Sequence, residues 1–147
     1  MKYSCTKEKI LEEFTTIVWD KIIQPTDGSI YWYIENFTKD QDKFKTILAF
    51  EKAFKLWSTV LSPIKLESTS KKEEAHIKIR FSNNNDEIPE KFESWVLAYA
   101  FAPYGGSYAG NMYFNDAYNR QEMHSRWSTD LFKVAVHEIW HTLNISH

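Results

Sequence analysis

The chain is poor in the residues and patterns that mark several classes of protein. Its single cysteine, Cys5, excludes an internal disulfide. No apolar run approaches the roughly 20 residues that a membrane-spanning helix needs, and acidic side chains stand where a signal peptide would carry its apolar stretch. The 20 acidic and 18 basic residues are well mixed, so the sequence has no basic footprint for nucleic acid and no polybasic patch for an anionic membrane. We therefore expect no nucleic-acid partner and no membrane span.

The chain does have enough apolar material for one good core. Of its 147 residues 43% are hydrophobic, which is typical of a single domain. Alternating and β-branched runs predict strands, and apolar residues spaced by three or four predict helices. The predicted strands are residues 29–35, 64–69, 75–81, 94–101 and 110–116, and the predicted main helices are residues 38–61 and 128–143, after a segment at 7–23 with helical spacing in places.

Both main helices carry start signals and an apolar stripe. Thr38 and Gln41 have the spacing of a capping box, and Ser128, Thr129 or Asp130 can cap the second helix. The apolar stripes that we expect to face the core are Ile47, Phe50, Phe54, Trp57 and Leu61 in the first helix, and Phe132, Val136, Ile139 and Leu143 in the second. Outside these helices, His76 is predicted to be a solvated surface residue, as is His124.

Three of the five histidines lie in the last eleven residues, in "HEIWHTLNISH". Residues four apart lie on one face of a helix, so His137 and His141 present their imidazoles to one point, while Glu138 is turned by about 100°. This arrangement suits a zinc ion with one coordination position open for water, and Glu138 is placed to take a proton from that water. The spacing therefore predicts metal-assisted hydrolysis.

A third metal ligand has to come from outside this helical pair. His147 can return to the metal if the chain turns at Asn144, because asparagine adopts the left-handed conformation that ends helices more readily than most residues do. The alternative is a buried helix whose histidines are satisfied by hydrogen bonds alone.

The motif resembles the extended zinc signature of the metzincins, HExxHxxGxxH, and "LFKVAVHEIWHTL" is similar to the matrixins, the matrix metalloproteinases. Four further stretches resemble matrixin catalytic domains: "YIENFT", "AFEKAFKLWS", "AHIKIRF" and "VLAYAFAP" with "GGSYAGNMYFND". The resemblance covers residues 30–147. It implies an α+β, sandwich-like fold with a twisted, mostly parallel sheet of about five strands and two main helices.

The resemblance also assigns functional residues. It implies that His137, His141 and His147 bind one catalytic zinc and that Glu138 acts first as general base and then as general acid. It further implies that the backbone around Leu97 and Ala98 pairs with a protein or peptide substrate as an added strand.

Two other metal sites of the family give different expectations. The histidines that hold a second, structural zinc are replaced by Tyr99 and Tyr113, and tyrosine is a poor zinc ligand, so we predict that this second site is absent. A calcium site is the other expectation. Its ligands would come from the loop at Gly105, Gly106 and Gly110, with Asp116 as the carboxylate, and the alternative is a plain glycine-rich turn.

The ends of the chain give further expectations. Residues 29–147 resemble a catalytic domain whose C-terminal subdomain is truncated, because the family's methionine-bearing turn would follow His147. Residues 1–28 resemble an N-terminal extension, a remnant of a propeptide, in which Cys5 is either a thiol that blocks the zinc or an ordinary free cysteine. The resemblance implies a monomeric, extracellular zinc-dependent endopeptidase. The alternative is a catalytically weak or inactive module that binds zinc or protein.

Overall fold

The computed structural model describes residues 28–93, 96–102, 106–116 and 120–143. Within them lie five strands and two α-helices: β1 (Ser29–Ile34), α1 (Lys43–Leu61), β2 (Lys65–Ser68), β3 (Ile77–Ser82), β4 (Ala98–Ala100), β5 (Asn111–Asn115) and α2 (Arg120–Thr142). Short 3-10 turns cover Lys72–Glu74 and Gly106–Tyr108. The predicted helical spacing at residues 7–23 lies outside the described residues, and among the described residues no helix is long and apolar enough to cross a membrane.

The strands form one sheet in the order β2-β1-β3-β5-β4. The pairs β1–β2, β1–β3 and β3–β5 are parallel, and β4 alone runs antiparallel, against β5. Helix α1 packs on β2 and on α2, while α2 also packs on β4 and β5. The predicted fold class, a mostly parallel sheet of five strands with two main helices, is confirmed.

Helix α1 buries the face that the sequence predicts but begins later than predicted. Its N-cap is Asp42, whose Oδ1 accepts a hydrogen bond from the Lys45 amide 3.1 Å away, so the capping box predicted at Thr38 is wrong. The hydroxyl of Thr38 is used elsewhere, because it donates to the carboxylates of Asp40 and Asp116. The core side of the helix consists of Phe50, Phe54, Trp57 and Leu61, all buried as expected, with Ile47 half-buried.

Helix α2 is longer than the sequence pattern indicated. It begins at Arg120, so residues 128–130, which were predicted to cap it, lie inside the helix. Ser, Thr and Asp disfavour helix interiors only weakly, and packing overrides that preference. Ile139 and Leu143 of the predicted stripe are buried as expected, whereas Phe132 is 38% exposed and Val136 is half-buried. The buried row is Leu131, Ala135, Ile139 and Leu143, each four residues from the next.

One histidine outside the motif forms a hydrogen bond with the neighbouring strand and is not fully solvated. His76 is half-buried, and its Nδ1 accepts a hydrogen bond from the Tyr31 amide at 2.9 Å. The prediction that His76 is a solvated surface residue is therefore wrong. Strand alternation in the sequence cannot show that the backbone of the neighbouring strand offers the imidazole a hydrogen-bond donor.

Candidate active site

The last two turns of α2 bring two of the predicted metal ligands together. The Nε2 atoms of His137 and His141 lie 3.0 Å apart, with the rings edge to face at 80°. Two nitrogens that each bind a tetrahedral zinc at 2.0 to 2.1 Å lie about 3.3 Å from one another. The pair therefore fits one metal ion with little movement. The same distance also allows a hydrogen bond between the rings.

Glu138 lies beside this pair in a different environment. Its side chain is 6% exposed, and within the described part of the chain no group hydrogen-bonds its buried Oε2. Burial raises the pKa of this carboxyl group to about 7. Because a buried carboxylate oxygen without a partner is costly, the arrangement fits a site that is completed by a cation or by water.

The histidine turn is tied to the rest of the domain by a tryptophan. The Trp57 indole N–H in α1 donates to the carbonyl oxygen of Val136 at 3.0 Å, one residue before His137. The ring of Trp57 also lies 6.1 Å from that of Trp140, in the next turn of α2. These contacts fix the rotation of α2 against α1 and so help to orient the two imidazoles.

An open groove runs past Glu138 between α2 and the edge of the sheet. Its volume is about 520 Å3, and its lining consists of Val96, Leu97, Ala98, Lys133, Val134, His137 and Glu138. The residues predicted to bind substrate thus share a groove with the predicted general base and one predicted zinc ligand. Lys133 and Val134 were missed by the sequence reasoning. They lie one helical turn before His137 and Glu138, and that spacing of four was the signal that could have identified them.

Strand β4 forms the outermost edge of the sheet beside this groove. The amide of Asn115 donates to the Leu97 carbonyl at 2.8 Å, and the amide of Phe101 donates to the Asn111 carbonyl at 3.0 Å. Backbone groups alternate in an antiparallel ladder, so those of Ala98, between these bonds, face away from β5. Of the two residues predicted to pair with substrate, Ala98 presents its backbone to the open edge, whereas the Leu97 carbonyl is used within the sheet.

The positions of the second zinc ligands are occupied by a stacked aromatic pair. Tyr99 and Tyr113 face each other across β4 and β5, with ring centroids 5.2 Å apart. The Tyr99 hydroxyl donates to the Glu90 carbonyl at 2.7 Å, and burial raises the pKa of Tyr99 to about 12. A phenol that is held neutral and already hydrogen-bonded is a poor ligand, so these residues do not fit a second zinc.

The residues predicted to bind calcium are separated by the structure. Gly110 precedes β5 and Asp116 follows it, so about 20 Å of extended strand separates them. Gly110 has a φ of +76°, and a side chain there would meet the His76 carbonyl, which explains this glycine without a metal. Gly106, in its 3-10 turn, is exposed. A calcium ion bound by the loop carbonyls would need another carboxylate, and calcium binding stays a prediction.

Asp116 instead belongs to a polar cluster with Thr38 and Asp40. The Thr38 hydroxyl donates to Asp116 Oδ1 at 2.5 Å and lies 3.3 Å from Asp40 Oδ2. Burial, and secondarily the carboxyl group of Asp40, raise the pKa of Asp116 to about 6. Among the described residues, no cluster of three or more His, Cys, Asp or Glu side chains is arranged to hold a metal. The predicted ligands and site residues His147, Gly105 and Cys5, and the turn at Asn144, lie outside the described residues.

Comparison with known proteins shows which family has this sequence pattern. A family profile described as Matrixin matches residues 21–147. Matrix metalloproteinase-C of Caenorhabditis elegans is 35% identical over 121 residues, which cover 78% of this chain and 20% of that protein. Interstitial collagenase of Oryctolagus cuniculus is 36% identical over 78% of this chain and 24% of its own length, and karilysin of Tannerella forsythia is 34% identical over 81% and 25%. The chain thus spans a quarter or less of the length of these relatives.

Proposed function

Because the chain belongs to the matrixin family, we propose that it is a zinc-dependent metalloendopeptidase that hydrolyses peptide bonds in proteins. The observation that carries the proposal is the convergence of the Nε2 atoms of His137 and His141, 3.0 Å apart, beside the buried carboxyl group of Glu138. A structural pair of histidines would explain the distance but not the neighbouring carboxylate oxygen, which lacks a hydrogen-bond partner among the described residues.

In this proposal His137, His141 and His147 hold one zinc ion. When bound, zinc polarises the scissile carbonyl and lowers the pKa of water to about 7. Both described histidines have to be neutral to bind it, so their protonation at low pH competes with the metal. A nearby cation also favours the charged form of Glu138 and so lowers the pKa of that carboxyl group from the value that burial alone gives.

Glu138 carries the proton transfers. Its carboxylate takes a proton from the attacking water and delivers it to the amine that leaves when the peptide bond breaks. A general base works best when its pKa lies near the working pH, and burial raises the pKa of Glu138 towards that range. Glu138 shares its groove with Ala98 of β4, and this supports contact between Glu138 and a substrate chain that lies along β4.

The substrate is held as an extended chain. The outward amide and carbonyl groups of Ala98 pair with its backbone as an added strand, and the groove takes its side chains. Backbone hydrogen bonds to β4 do not depend on the amino-acid sequence of the substrate. Selectivity among substrates therefore has to come from the residues that line the groove.

We make further proposals about the metal content, the oligomeric state, the location and the domain bounds of the protein. We expect one zinc per chain, no second structural zinc at Tyr99 and Tyr113, a monomer, no nucleic-acid partner, and an extracellular location. We also propose residues 29–147 as the catalytic domain, with residues 1–28 as an extension in which Cys5 either blocks the zinc or stays an ordinary thiol.

The test is cleavage of an internally quenched protein-derived peptide by the purified chain, with zinc content measured on the same sample. We expect cleavage to stop with a chelator and to return with added zinc. As a matched control, the exposed carboxylate Glu51 on α1 is replaced in Glu51→Gln, which should cleave like the unmodified chain. Cleavage that survives complete removal of zinc would rule out the proposal.

The second candidate function is a metzincin-like module that binds zinc or protein but turns over little. The observation that favours it is the stacked tyrosine pair at the positions of the second zinc ligands, because tyrosine is a poor zinc ligand and the pair supports the loss of that metal site. The same peptide experiment separates the two functions. Stoichiometric zinc without chelator-sensitive cleavage would support the module, and robust chelator-sensitive cleavage would exclude it.

A further inference from the structure

The groove beside Glu138 is lined by four apolar residues, by the catalytic-motif residues His137 and Glu138, and by one lysine. Val96, Leu97, Ala98 and Val134 supply apolar surface, and Lys133 is the only lysine or arginine among the described residues of the lining. Lys133 is exposed, and no carboxylate of the described residues lies within ion-pair distance of it. Because Lys133 is exposed and lines the groove, its ammonium group can reach a ligand there.

The helix fixes where this charge lies relative to the catalytic residues. Lys133 precedes His137 by four residues and Val134 precedes Glu138 by four, so each lies below its partner on the same helix face, about 6 Å along the axis. A substrate side chain that enters the groove next to Glu138 therefore has Val134 and Lys133 one helical turn away in the same lining.

We propose that Lys133 makes this groove a subsite for an acidic side chain of the substrate, close to the bond that is cut. The inference rests on the proposed peptidase function and deepens it. The aliphatic part of a glutamate packs on Val134 and Leu97, and its carboxylate meets the lysine ammonium. A substrate lysine or arginine in the same place would meet a like charge. A substrate leucine would bury less of its apolar surface, because the far end of its side chain would meet the charged group of Lys133.

The size of the effect follows from the exposure of Lys133. An ion pair between partly exposed groups changes affinity by about two- to fivefold, and reversing one charge changes the sign of the preference. Such a difference is smaller than the effect of removing a catalytic group, so selectivity can change while cleavage persists.

The experiment uses the full zinc-loaded chain and a set of quenched peptides. The peptides differ at one position at a time, from two residues before the cut to two residues after it, and carry Glu, Gln, Leu or Lys at that position. The masses of the products verify which bond is cut. We expect Glu over Gln by about two- to fivefold in kcat/KM at one of these positions. Lys133→Met should abolish that preference, and Lys133→Glu should favour Lys over Glu.

The control is Lys52→Glu, which makes the same change of charge on the exposed face of α1 and should leave the order of the peptides unchanged. Binding of the same peptides to zinc-loaded Glu138→Ala, followed by fluorescence anisotropy, gives a second measurement that needs no turnover. If nothing is cleaved but Glu peptides bind best, the proposed function fails and the subsite stands. Equal binding or cleavage of all peptides by the unmodified chain, or no binding at all, would overturn the subsite.

Discussion

Trp57 donates its indole N–H to the carbonyl of Val136, 3.0 Å away, at the residue before the first histidine of the motif. The bond joins two helices that are far apart in sequence, and Trp57 itself is 6% exposed. A buried bond of this kind makes the position of His137 depend on α1 as well as on its own helix.

Replacement of Trp57 by Phe tests this dependence. Loss of the donor should lower the free energy of unfolding by about 1 kcal/mol and weaken zinc binding, because the histidine turn is then held less firmly. Urea unfolding and a zinc competition assay measure the two effects. The exposed Phe44→Leu on the same helix serves as the control, and an unchanged zinc affinity in Trp57→Phe would contradict the positioning role.

Removal of either described histidine should remove the metal. His137→Ala and His141→Ala are each expected to weaken zinc binding by more than about 100-fold, since loss of even a supporting residue costs 10- to 100-fold. The measurement is metal content after dialysis against a weak chelator. His76→Gln keeps a hydrogen-bond acceptor for the Tyr31 amide and should retain full zinc content. Zinc retained in the His137 and His141 variants would place the metal elsewhere.

The tyrosine pair should stabilise the sheet edge without a metal. In a double-mutant cycle of Tyr99→Leu and Tyr113→Leu, we expect a coupling energy of about 0.5 to 1.5 kcal/mol from the stacked rings. Chelator should leave this value unchanged. A cycle of Tyr99 with the distant Tyr33 supplies the control, with coupling near zero, and a coupling energy that appears only with added zinc would show that the pair does bind metal.

Asp116 should make stability fall as pH rises. Its pKa is raised from 3.8 to about 6 in the folded chain, so the folded state binds the proton more tightly than the unfolded state does. The stabilisation is therefore fully present below about pH 4 and is lost as pH rises through about 6, with a size of about 1 kcal/mol after allowance for solvent screening.

The measurement is urea unfolding of chelator-treated protein between pH 4 and pH 7. Asp116→Asn should remove this component of the pH dependence, and the exposed Glu51→Gln should not. A slope of the opposite sign for the Asp116 contribution would mean that a positive group stabilises the carboxylate more than burial and Asp40 destabilise it.

The sequence predicted the sheet, both main helices and the family, because these depend on local periodicity and on a motif whose spacing is set by helical pitch. It misjudged features decided by distant contacts. Thr38 resembles a cap in sequence but is used by Asp116, far along the chain. In the first half of the α2 stripe the sequence favoured Phe132 over Leu131, because both residues are apolar and only packing decides between them.

The candidate site was predicted in part for the same reason. His137, Glu138 and His141 lie within two turns of one helix, so their geometry follows from sequence spacing alone. Lys133 and Ala98 belong to one groove only because α2 packs against β4, and no pattern in the sequence contains that contact.

In the proposed mechanism Glu138 transfers the proton at a zinc held by the histidine motif. The most direct measurement is kcat/KM for peptide cleavage by Glu138→Gln, with zinc content determined on the same sample. We expect about one zinc per chain, as in the unmodified protein, and a loss of kcat/KM of about 100- to 10,000-fold. Full activity of Glu138→Gln with zinc bound would contradict it.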